Sequence, residues 1–252
     1  LIYCMIGTRP DIAWSVSQCA RFFSGPAPCH LTAAKRVLRY LAGTIAKPLT
    51  YSRDHPLGGL LGFCDADWAG CKDSRKSTSG WVLKLAGAAI SWYSKRQSVV
   101  ALSSAESEYI SACSCAQEVM FFRQLASSIG IELNGPTTVF SDSQSALAMI
   151  VNPTNARSKS IDIKYHYVRG TVSSQNIRFK FVPTAEQQAE ALKEAKDIWR
   201  REKYGAGREL SCCTEGDADC PDRPRRNDRL AQAQIRGERT DRSFGKVVEY
   251  LR

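Results

Sequence analysis

The sequence predicts an α/β fold: a mixed sheet with helices on its faces, preceded by a small helical segment. Three observations predict it. Between residues 57 and 204, apolar strand-like runs joined by short turns come first, which favours antiparallel pairing. Later strand-like runs alternate with long helical stretches, which favours strands added through helical connections. Residues 1–56 carry apolar spacing close to the helical period.

The elements follow in order. Pro10 and Asp11 open the helical run IAWSVSQCARFF, and SGPAP breaks it. HLTAAKRVLRYLAGT reads as a second helix, capped by Thr32 and ending at Gly43, with Lys35, Arg36 and Arg39 on its polar side. Those cations suit phosphates as well as they suit a solvated face. LGGLLGFCDAD is a strand, and GWVLKLAGAAISWYS and SVVALSS are the next two. SSAESEYISACSCAQEVMFFRQLASSIG is one long helix. TTVFSD is a strand that leads into a helix through SALAMIV, and IDIKYHYVRGTVSS is expected to be helical. IRFKFVP alternates as a strand. TAEQQAEALKEAKDIWRREKYG is a charged, Ala-rich helix stopped near Gly205. Residues 205–252 are rich in charge and turn formers and poor in apolar groups, so a disordered or weakly helical tail is expected. The chain thus divides into 1–56, 57–204 and 205–252.

Composition narrows the function. The 252 residues are 43% hydrophobic, enough for a substantial core. The net charge is +10, most of it before residue 196, and that excess suits a polyanionic partner. No apolar run approaches the ~20 residues that span a membrane. The opening LIYCMIGTRPD lacks both an initiator Met and the pattern of a signal peptide, and reads as the edge of a fragment. The ten Cys form no CxxC pair, which argues against zinc and for reduced thiols. No Asp-Asp dipeptide occurs, so DNA synthesis by this chain alone is not expected.

Three acidic positions ask for a chemical explanation. In GFCDADW, Asp65 and Asp67 leave an apolar strand two residues apart, on one face. A turn at Trp68-Ala69-Gly70 accounts for them equally well when they are taken alone. In SSAESEY, Ser103 and Glu106 make a capping box. Glu108 has no such role. It heads the stripe Ala112, Cys115, Val119 and Phe122, where an unpaired carboxylate is costly. In VFSDSQSA, Asp142 ends a strand before a helix, while Ser141 and Ser143 offer alternative caps. Carboxylates converging without His or Cys favour hard cations, Mg²⁺ or Mn²⁺. Two such ions about 3.5–4 Å apart can clamp the reacting oxygens of a phosphodiester.

CDADWAG, SRKSTSGWV, AISWYSKRQ, VALSSAESEY, SDSQSA and IDIKYHYVR, in this order, strongly resemble the ribonuclease H (RNase H) domain at the end of copia-type retrotransposon polyproteins. TRPDIAWSVSQCARF and AAKRVLRYLAGT resemble the tail of the reverse transcriptase before it. The resemblance covers roughly residues 5–192. It implies a five-stranded mixed sheet and Mg²⁺-dependent hydrolysis of the RNA strand of an RNA–DNA hybrid. No small-molecule cofactor and no membrane are implied, and the setting would be intracellular, in a virus-like particle or the nucleus. The implied partners are the hybrid and the rest of the Pol polyprotein, including the reverse transcriptase.

By the same resemblance, Asp65 is the first carboxylate, Glu108 the second with Glu106 as its adjacent rival, and Asp142 the third. Asp67 is accessory. The fourth position departs from the family, which has Gln-x-Ala-Asp where this chain reads QQAE, so that Glu190 stands for an expected Asp. Glu190 also fits a solvated helix charge. Ser160 stands where His is usual, while Asp162 and His166 remain, His166 as a packed structural residue. Lys72, Arg75, Lys76, Lys95 and Arg96 are the candidate phosphate contacts, in turns next to the acidic positions. Two readings stand at this point: an active two-metal nuclease, and a remnant that folds and binds nucleic acid without cutting it.

Overall fold

The structure, a computed structural model, describes residues 1–52, 59–71, 73–151 and 167–189. The described residues form a five-stranded sheet in the order β3-β2-β1-β4-β5. The strands are β1 (Leu61–Asp67), β2 (Thr78–Leu85), β3 (Ala88–Arg96), β4 (Thr137–Ser141) and β5 (Ile177–Phe181). β1, β2 and β3 pair antiparallel; β4 then joins β1, and β5 joins β4, in parallel. This is the expected α/β arrangement, the RNase H-like mixed sheet of three antiparallel strands followed by parallel additions.

The central strands explain the topology. β1 and β2 are buried along most of their length, which is why they read as nearly continuous apolar runs rather than alternating ones. β5 is at the edge, and its Arg178 and Lys180 alternate with Ile177 and Phe179. Two details depart from the sequence expectation. GWVLKLAGAAISWYS is not one strand but a hairpin, turning at Ala86 and Gly87, whose φ values are 52° and 87°. Two successive residues in the left-handed region are what a two-residue hairpin turn needs. Ala86 lacks the Asn or Asp that usually signals one. The expected third strand, SVVALSS, is therefore a connecting loop, with Leu102 exposed.

α4 (Ser104–Ser128) packs across β1 and β2 and makes the main core. Tyr109, Cys115, Val119, Leu83 and Val139 are fully buried there, and each large apolar side chain so placed contributes about 1.5–3 kcal/mol. Gly62 of β1 permits the close approach: a Cβ there would lie 3.0 Å from Val139 and 3.3 Å from Cys115 Sγ. α5 (Gln144–Val151) and α6 (Tyr167–Ser173) complete that layer.

The opposite face of the sheet is covered by the N-terminal segment. It contains α1 (Ile2–Gly7), α2 (Ala13–Ala20) and α3 (Pro28–Ala42). Ala13 packs with Phe63, Val82 and Ala89, and Trp92 donates its indole N–H to the Met5 carbonyl at 2.7 Å. The Ser17 hydroxyl reaches the Ser94 carbonyl at 3.1 Å, and Tyr51 reaches Ala89. α3 begins earlier than the sequence suggested. Pro28 occupies its first turn, and Thr32 bonds back to the Pro28 carbonyl instead of capping.

The helix expected from Thr184 does not start there. Thr184–Glu186 is a single 3-10 turn, and Gln187 is extended. Its continuation from 190, the segment 152–166 with Ser160, Asp162 and His166, and the tail 205–252 lie outside the described residues.

Candidate active site

Three elements each deliver one carboxylate to the same end of the sheet. Asp65 lies fully buried near the end of β1. Ser111 of α4 fixes that strand end, donating its hydroxyl to the carbonyls of Asp65 at 2.8 Å and Gly80 at 3.3 Å. Glu108, in the second turn of α4, is 7% exposed. Its Oε1 accepts the backbone N–H of Ala66 at 3.1 Å. Asp142 follows directly after β4, and its Oδ2 accepts the Thr184 hydroxyl at 2.9 Å. Capping of α5 falls to Ser143, whose hydroxyl accepts from the Ala146 N–H, so Asp142 is free of that duty.

One carboxylate oxygen each from Asp65, Glu108 and Asp142 lie within 4.8 Å of one another. Of the two glutamates in SSAESEY, Glu108 is the one in this cluster. Glu106 completes the helix cap: its N–H bonds Ser103 and its Oε2 accepts from Leu102 N.

Carboxylates this close do not all stay ionised without a cation or a proton between them. Burial, then the charge of Asp65, pushes the Glu108 carboxyl up to about 9. Glu108 Oε2 is buried with no hydrogen-bond partner among the described residues. An all-oxygen donor set with an orphaned buried carboxylate oxygen fits a hard divalent cation.

Asp67 stands apart from the cluster. Its carboxylate nestles against Gly70, where a Cβ would collide with it. Gly70→Ala is expected to displace Asp67 and the turn, at a cost of about 1–3 kcal/mol read by thermal melting. An unchanged melt would mean that the turn yields freely.

The described phosphate-contact candidates lie at the same sheet end, Arg75 and Lys76 in the loop between β1 and β2 and Lys95 and Arg96 at the end of β3, with differing engagements. In the loop between β1 and β2, Ala69 and Arg75 have φ of 53° and 52°, and Arg75 is exposed. Lys76 Nζ donates to the Ser98 carbonyl at 2.6 Å, tying this loop to the one after β3. Lys95 lines a groove with Ser79, Ser98 and Gln117. Arg96, its neighbour on the strand, points to the other face, where its guanidinium meets Cys71 Sγ at 3.4 Å. Arg21 from the end of α2 meets the same sulfur, also at 3.4 Å, and pairs with Asp73. Burial works to raise the Cys71 thiol, but bonds with Ser74 and the guanidiniums of Arg96 and Arg21 outweigh it and bring it down to about 6. Lys72 and Glu190 lie outside the described residues.

Sequence reasoning missed Thr184 and Gln187. Gln187 Nε2 donates to the Cys64 carbonyl at 3.0 Å, pinning the turn after β5 onto β1. The Gln of the family's Gln-x-Ala-Asp pattern was the available signal for it.

Curated relatives cover most of the chain. It is 39% identical over 193 residues, 76% of its length, to the retrovirus-related Pol polyprotein from transposon TNT 1-94 of Nicotiana tabacum. It is 39% identical over 186 residues to the Pol polyprotein from transposon RE1 of Arabidopsis thaliana. Its homologues are copia-type retrotransposon Pol polyproteins. It spans 14% of the tobacco polyprotein. A shorter match is secreted RxLR effector protein 161 of Plasmopara viticola, 46% identical over 121 residues, or 48% of this chain and 84% of that protein. No protein-family model matches the chain. Among solved structures, the N-terminal RNase H domain of a Mycobacterium tuberculosis protein aligns with 54% of the chain and 90% of its own, at 15% identity and a TM-score of 0.36. An RNase H1 isolated from compost aligns with 54% and 92%, at 12% identity and 0.40.

Proposed function

We propose that this Pol segment is a divalent-metal-dependent endonuclease that hydrolyses the RNA strand of RNA–DNA hybrids during retrotransposon reverse transcription. The observation that carries the reading is the meeting of Asp65, Glu108 and Asp142, from β1, α4 and the end of β4, within 4.8 Å. Two bound Mg²⁺ or Mn²⁺ ions would supply charge neutralisation and a nucleophilic water at the scissile phosphate.

The chain's own residues do the rest. Asp65, fully buried, would hold the metal together with Glu108 and Asp142. Glu108 is held by Ala66 N–H with its second oxygen left over for a cation. Asp142 is the least buried of the three, so substrate and water would approach the site past it. Arg75, Lys76 and Lys95 would contact the substrate phosphates, and Lys72 is expected to join them. Recognition runs through hybrid shape and 2′-hydroxyls, without sequence preference. The working partners are the hybrid and the preceding reverse transcriptase, in an intracellular setting.

The test is cleavage of a labelled RNA–DNA hybrid with Mg²⁺ or Mn²⁺, with duplex DNA as the control. Loss of the RNA strand alone supports the reading, and an intact hybrid under all metal conditions refutes it.

One observation favours a second reading, a catalytically impaired remnant that still folds and binds nucleic acid. Glu190 stands where the family has Asp, and its extra methylene displaces the carboxylate by about an ångström, which catalytic geometry tolerates poorly. Glu190→Asp is expected to raise cleavage roughly tenfold. Equal or lower activity in Glu190→Asp would show that position 190 does not limit the rate.

A further inference from the structure

The turn after β5 touches both carboxylate-bearing strands. Val182 N donates to the Ser141 carbonyl at 3.0 Å, extending the β4–β5 ladder one step past the last strand residue. Pro183 then opens the 3-10 turn and brings the Thr184 hydroxyl to Asp142 Oδ2 at 2.9 Å. Three residues on, Gln187, 5% exposed, reaches the Cys64 carbonyl beside Asp65, and its Oε1 takes the Ala189 N–H at 3.3 Å. One short strap is therefore stitched to β4, to the Asp142 side chain and to β1.

We infer that Thr184 is a positioning residue: its hydroxyl holds the Asp142 carboxylate in the orientation that meets Asp65 and Glu108. The inference rests on the metal-site reading above. Asp142 needs such a restraint more than its partners do. Asp65 is fully enclosed and Glu108 is pinned by Ala66 N–H, whereas Asp142 is only half-buried on a loop. A carboxylate with one oxygen fixed presents the other in a narrow set of directions, and less orientational freedom is lost when a cation binds. Gln187 supports this from behind. It anchors the strap to β1, so the donor arrives from a fixed base.

The experiment compares Thr184→Val, which keeps shape and removes the donor, with Thr184→Ser, which keeps the donor. Mn²⁺ binding to the metal-free protein is measured by calorimetry, together with the Mn²⁺ dependence of hybrid cleavage. Thr184→Val is expected to weaken Mn²⁺ binding roughly three- to tenfold, and Thr184→Ser to stay within about twofold of the parent. Both variants should melt with the parent, because Thr184 is exposed and outside the core. Parental Mn²⁺ affinity in Thr184→Val overturns the inference, and so does a Thr184→Ser variant as weak as Thr184→Val. Asp142→Asn is the control for the underlying site. If it binds Mn²⁺ as the parent does, the carboxylate site itself is wrong and the role of Thr184 falls with it. If Asp142→Asn weakens binding and Thr184→Val does not, only the positioning role fails.

Discussion

Asp142→Asn loses hybrid cleavage on the order of a thousandfold or more, at every Mg²⁺ or Mn²⁺ concentration, while hybrid binding survives. Asn keeps an oxygen to accept the Thr184 hydroxyl, so the local structure has little reason to change. What it removes is one negative charge from the cluster with Asp65 and Glu108. Metal-assisted stabilisation of a phosphodiester transition state is worth several kcal/mol, and each ~1.4 kcal/mol is tenfold in rate. On the proposed reading, binding would draw on Arg75, Lys76 and Lys95 rather than on the acidic cluster, and losing an anion near the substrate phosphates would not weaken it. Cleavage is followed with an end-labelled RNA strand, and binding by anisotropy in Ca²⁺. Cleavage at the parental rate in Asp142→Asn would remove the nuclease reading of this site.

The metal-free protein is expected to become less stable as pH rises from about 4.5 towards about 9, with Glu108 the cause. Below the ordinary glutamate value of 4.5 the carboxyl is protonated in folded and unfolded chains alike. Above it the unfolded chain releases the proton, while the folded chain keeps it until about 9, because burial and then the charge of Asp65 disfavour ionisation. The unfolded state therefore binds fewer protons across that window, and stability falls with pH. A divalent cation held by the three carboxylates would replace the proton and offset the loss. Glu108→Gln removes the titration and keeps an acceptor for Ala66 N–H. It should stabilise the metal-free protein by on the order of 3 kcal/mol at pH 8 while abolishing metal-dependent cleavage. Urea denaturation between pH 5 and 9 in EDTA, repeated with Mg²⁺, measures both effects. A metal-free stability that holds level with pH in the parent, or a Glu108→Gln variant no more stable than it, would contradict the account.

The two largest expected effects thus come from residues that were visible before any coordinates. Glu108 stood out because it heads the stripe of Ala112, Cys115 and Val119, all buried against the sheet, and helical periodicity is a local property that a sequence displays directly. The strand ends at Asp65 and Asp142 were visible for the same reason. The hairpin at Ala86-Gly87 was not, because Ala carries no signal for the left-handed turn it adopts. The strand assigned to SVVALSS failed because an apolar composition does not reveal whether a partner strand is left to pair with.

The sequence by itself determined the α/β class, the resemblance to retrotransposon Pol polyproteins and the three candidate carboxylates, since each is written in local periodicity or in residue identity. Only the tertiary structure decided that these carboxylates meet, that Glu108 rather than Glu106 joins them, and that Lys95 and Arg96 serve opposite faces. It also decided that the N-terminal segment covers the sheet through Trp92, Ser17 and Tyr51, and that Thr184 reaches Asp142 across 42 residues of chain. Contacts of that kind depend on how distant segments pack, and no window of neighbouring residues encodes them.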